Sequence, residues 1–101
     1  MPEQMFRKRV SQGFSCMPAY RTLEEWLAMN GALEQEGRCI GGDLERTFAV
    51  GAARVTNYYF CDQCEGHWVH VAASDETTLR DTRRALLEAL AQYGPYDEYP
   101  S

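Results

Sequence analysis

Lysine is almost missing from this chain, with Lys8 alone against nine arginines. That skew reflects genome base composition before it reflects function. Long apolar runs are missing as well: no stretch approaches the roughly 18 consecutive apolar residues of a membrane span. The opening residues, MPEQMFRKRV, carry positive charge with no apolar segment behind them, so no secretory signal is read. The expectation is a cytoplasmic protein, where cysteines are more often metal ligands, catalytic thiols or buried residues than structural disulfides. Glycine-rich spacing of the phosphate-binding kind is lacking, as are an activated serine and a recognisable carboxylate pair, so no case for an enzyme arises.

What is present is a chain of 101 residues with a net charge of -5. That length implies one domain with a single core and little spare stability, so a metal or a crosslink would matter. The charge is uneven. Residues 1–21 set Glu3 against Arg7, Lys8, Arg9 and Arg21, whereas residues 22–45 set Glu24, Glu25, Glu34, Glu36, Asp43 and Glu45 against Arg38 alone. A mostly acidic body argues against direct nucleic-acid binding, because phosphate contacts need a basic face.

Residues 1–20 read as a basic arm, with residues 5–10 compatible with a short extra edge strand. Thr22 and Glu25 stand at capping-box spacing, which predicts a helix from Thr22 with Leu23, Trp26, Leu27, Asn30 and Leu33 on one stripe. Glu34 interrupts that stripe, so the helix is expected to fray there and stop at Gly37. Glu24, Glu25 and Glu36 then form an acidic outer face. A glycine-rich connection through Cys39 leads to a strand at 45–50. A second helix is expected after a Ser74 cap, with Asp75 and Glu76 suiting the positive end of its dipole, Leu79, Leu86, Leu87, Leu90 and Tyr93 in line and Gly94-Pro95 as its stop. Arg83 at the stripe's edge is expected to snorkel, with an ion pair as the alternative. Residues 94–101, rich in tyrosine, proline and acid, read as a tail that is disordered or docks on a partner.

Between these elements lies YYFCDQCEGHWVHV, read as strand, thiol-bearing turn, strand. With Cys61 to Gly66 as the loop, Tyr59 faces Trp68 and Asn57 faces His70. This pairing puts Tyr58, Phe60, Val69 and Val71 on the core. It leaves Tyr59, Trp68, Asn57 and His70 as an aromatic contact surface. Cys61-x-x-Cys64 resembles half of a zinc-ribbon knuckle, with Gly66 able to supply the positive φ of the turn. Four-coordinate zinc would draw its other ligands from Cys39 and Cys16, with His67 as a substitute. Unliganded thiols and a redox pair are the alternatives. The redox reading is weakened by the flanking Asp62 and Glu65, which disfavour thiolate, and by the lack of a helix opening at the motif.

The inferred order, α-β-β-β-α, makes an α+β fold with a three-stranded antiparallel sheet over residues 21–93. In topology it is similar to the double-stranded RNA-binding domain. Where that family opens its second helix with a lysine cluster, this chain has Asp75 and Glu76. The expected function is that of a small acidic, non-enzymatic regulatory or inhibitory protein with a protein partner. An acidic nucleic-acid mimic, of the kind phages use against restriction or CRISPR effectors, is the second reading. A thiol-disulfide redox protein is the third.

Overall fold

Apolar residues recur at every second position in the strand segments, and each such face needs a cover. In the computed structural model these faces meet in one six-stranded, wholly antiparallel sheet of order β2-β3-β4-β5-β1-β6. The structure describes residues 2–8, 16–37, 44–60 and 66–99. Its strands are β1 (Glu3–Lys8), β2 (Ala32–Glu36), β3 (Leu44–Val50), β4 (Ala53–Phe60), β5 (Gly66–Ala73) and β6 (Asp97–Tyr99). Helices α1 (Met17–Asn30) and α2 (Glu76–Ala89) pack together on one side of it. No described helix is long and apolar enough to cross a membrane.

The three-stranded expectation is therefore corrected to six strands, and the chain order to β-α-β-β-β-β-α-β. That order departs from the double-stranded RNA-binding topology. Three segments account for the difference. β1 lies inside the sheet, between β5 and β6, with Phe6 paired to Val69 on one side and Glu98 on the other. β2 occupies residues expected to be helix. β6 occupies the expected tail, tied down by Arg83 Nη2, which donates to Glu98 Oε1 at 2.5 Å.

Helix α1 begins five residues before the expected cap, at Met17, with Pro18 in its first turn where a missing N–H costs nothing. Thr22 lies mid-helix, its hydroxyl 2.5 Å from that of Tyr93. The helix ends before Gly31, whose Cα sits so close to the Ala49 carbonyl oxygen that a Cβ there would collide with it. That contact turns the chain directly into β2. A bulge between Leu33 and Gln35 shifts the β2 register on β3.

The expected second helix forms, but its cap falls one residue after Ser74 and it ends at Ala89, short of the Gly94-Pro95 stop. Asp75 caps it, accepting the Thr78 N–H at 2.7 Å, and Leu79, Leu86 and Leu90 are buried with Leu87 and Tyr93 packed at their margin. Gly94 comes next with φ +88°. The core joins these leucines to Leu23 and Leu27 of α1 and to Phe6, Phe48, Val55, Val69 and Val71 of the sheet. All five sheet residues share one face by register, and no described helix packs on the other face.

Candidate functional site

Strand pairing decides which side chains reach that second face. Phe60 pairs with Gly66, Tyr59 with His67, Tyr58 with Trp68, Asn57 with Val69 and Thr56 with His70. The hairpin expectation is thus off by one residue, and a one-residue slip exchanges the faces of a strand. Gly66, with φ +90°, belongs to β5 rather than to the turn. Tyr59 and Asn57 consequently lie on the helix-covered face. Trp68 and His70 stay on the open face, joined by Tyr58 and Phe60. The structure divides the four expected contact residues between the two sides of the sheet.

The covered side holds a chain of polar groups. Tyr96 O–H donates to His67 Nδ1 at 2.5 Å, and His67 Nε2–H donates to Asn57 Oδ1 at 2.5 Å. Asn57 Nδ2 in turn donates to the Tyr20 carbonyl at 3.2 Å. This directionality fixes the neutral Nε2–H tautomer. His67 is fully enclosed, and burial holds its imidazole down at about 3. Burial likewise raises Tyr96, and it raises Tyr20, whose hydroxyl also donates to Glu24 at 2.8 Å. Every polar atom of the His67 and Asn57 pair that would otherwise be orphaned has a partner, which is why two polar residues can sit in the core.

Those partners bear on the metal expectation. Cys39, Cys61 and Cys64 lie outside the described residues. Cys16 is buried at the N-cap of α1, its thiol donating to the Lys8 carbonyl at 3.4 Å and pushed up mainly by burial. Both ring nitrogens of His67 are engaged, so His67 offers no lone pair to a metal without breaking its bonds to Tyr96 and Asn57. Among the described residues no group of three or more metal-ligating side chains converges.

The expected acidic surface is partly neutralised. Arg46 Nη1 donates to Glu24 Oε2 at 3.2 Å, and its Nε lies 3.2 Å from Glu36 Oε1 without hydrogen-bond alignment. Glu25 is exposed on α1.

The open side carries the larger feature. Tyr58 and Phe60, two apart on β4, stack at 5.5 Å and 14°. Phe60 meets Trp68 edge-on at 6.0 Å, and Trp68 meets Tyr99 at 5.0 Å. The Arg7 guanidinium lies 4.8 Å from the Trp68 ring centroid and 4.3 Å from that of Tyr99. A shallow depression of about 380 Å³ opens between Met5, Tyr58, Phe60 and Trp68. On the same face Glu3 lies 3.8 Å from His70, and Arg54 pairs with Glu34 at 3.0 Å. Tyr58 and Phe60, expected on the core, lie on this face instead, and Met5, Arg7 and Tyr99, read only as parts of the arm and the tail, join them. The one usable signal is alternation in β1, where Met5 and Arg7 flank Phe6 and must face away from whatever buries it.

Comparison with protein-family models, with curated proteins and with solved structures finds no match to this chain.

Proposed function

We propose that this chain is a small protein-binding module that acts by contact through the uncovered face of its sheet. The supporting observation is the continuous cluster of Tyr58, Phe60, Trp68, Met5 and Tyr99 on the side opposite both helices. Aromatic and methionine side chains on a preformed sheet supply contact area at small entropic cost, and such residues are enriched at interface cores. Charge favours a protein over a nucleic acid. Glu3, Glu45 and Asp97 share this face with Arg7, while Arg54 is taken up by Glu34. A phosphate backbone would meet a net negative rim. The nucleic-acid mimic reading has less support, because Arg46 stands between Glu24 and Glu36.

Photo-crosslinking in the native host tests this reading. A benzophenone side chain placed at position 58 or 99 is expected to yield protein adducts, and one at position 25 or 84, on the helices, is not. Adducts from the helix positions alone, or adducts with RNA or DNA from the sheet, would overturn the proposal.

A further inference from the structure

We infer that the depression between Met5, Tyr58, Phe60 and Trp68 seats a weakly hydrated organic cation of the partner, an arginine or a methylated lysine side chain. This rests on the reading of the open sheet face as the contact surface. Three arguments converge on a cation. The first is the lining, three aromatic rings and a thioether around about 380 Å³. Phe60 and Trp68 stand at 88°, which makes a corner of ring surfaces rather than a flat stack. Aromatic faces carry negative quadrupole potential and hold guanidinium or alkylammonium groups at close range.

The second argument is intramolecular. The same cluster already holds a guanidinium, that of Arg7, within 5 Å of the Trp68 and Tyr99 ring centroids, at 4.8 and 4.3 Å. The third is charge. Glu45 stands directly opposite Tyr58 in the β3–β4 pairing, on the same face as the depression. With Glu3 and Asp97 on the same face, Arg7 offsets only one of three carboxylates. A cation gains from both ring faces and rim, an anion is repelled, and a neutral side chain gains only apolar area.

The test uses the full chain labelled with ¹⁵N and with ¹³C-methyl methionine. It is titrated separately with Nα-acetyl-trimethyllysine amide, Nα-acetyl-arginine amide and the neutral tert-butyl isostere of the first. Saturable shifts at the Met5 methyl and the Trp68 indole N–H are expected for at least one cationic probe, with the isostere at least tenfold weaker. The stronger cationic probe identifies the partner's side chain. Glu45→Gln is expected to weaken the cationic probes severalfold and leave the isostere unchanged. Equal binding of the isostere would overturn the inference, as would the absence of any shift at Met5 and Trp68. If crosslinks from positions 58 and 99 persist in that case, only the cation site fails; if they are absent too, the contact surface fails with it.

Discussion

Acidification from pH 7 to pH 5 should destabilise this protein through one residue. His67 is enclosed and held at about 3, against an ordinary value of 6.5. Between those values the unfolded chain takes up a proton that the native chain refuses. The stabilisation from keeping His67 neutral is therefore complete above pH 6.5, declines as pH falls below it and is exhausted only below pH 3. Linkage over that interval gives about 2 kcal/mol lost at pH 5 and about 4 kcal/mol at pH 3. Set against the 5–15 kcal/mol of a typical domain, roughly 2 kcal/mol is a large share. The structural cause is specific. A proton on Nδ1 would confront the Tyr96 hydroxyl, which now donates to that nitrogen. Urea unfolding followed by circular dichroism, at pH 7 and pH 5, should show the parent chain losing about 2 kcal/mol more than His67→Gln. Imidazole ¹⁵N shifts of the folded parent provide a second measurement and should report the neutral Nε2–H tautomer at pH 5. Equal losses in parent and variant, or a protonated His67 in the folded protein at pH 5, would refute the reasoning.

Tyr96→Phe leaves His67 Nδ1 buried without a donor and should lower stability by about 1–3 kcal/mol in urea melts; an unchanged midpoint contradicts the network. Gly31→Ala drives a methyl into the Ala49 carbonyl. It should cost about 1–3 kcal/mol, because a backbone oxygen in the β2–β3 pairing has little room to retreat, and a thermal melt matching the parent's would show that the helix-to-strand turn tolerates a side chain. Native mass spectrometry with and without chelator measures zinc. His67→Gln should take up as much as the parent, since both ring nitrogens are already committed, and reduced uptake would place His67 among the ligands.

The legible parts of this fold are those in which local chemistry and tertiary placement agree. In α2 the leucine spacing and the acidic first turn point to one helix, and that helix forms, capped by Asp75 one residue after the expected Ser74. In β2 they disagree. Ala32, Leu33, Glu34, Gln35 and Glu36 are good helix formers, yet the close fit of Gly31 beneath Ala49 ends the helix and the β3 edge recruits the next five residues. The hairpin register failed for a related reason. Ranking faces by hydrophobicity sends Tyr58 and Phe60 inward and Asn57 outward. The native pairing buries Asn57 because His67 and the Tyr20 carbonyl satisfy it, and Tyr96 completes His67 from the far end of the chain. β6 was hidden by composition alone: Tyr96 is anchored edge-on to Phe6 at 5.8 Å, a contact between opposite ends of the chain. The open aromatic face depends on that register and could not be read without it.

The interior position of β1 also has a temporal consequence. Its sheet neighbour β5 is synthesised about 60 residues later, and β6 later still. At typical elongation rates of about 5–20 residues per second, Phe6 waits several seconds on the ribosome before Val69 exists to pair with it. The β3-β4-β5 meander needs no such wait, because its strands are sequence neighbours. Nascent folding is thus ordered: the β3-β4-β5 meander can form first, and β1 takes its place between β5 and β6 only once those two strands have emerged. The first of the six strands to be made must wait for the fifth before it can pair.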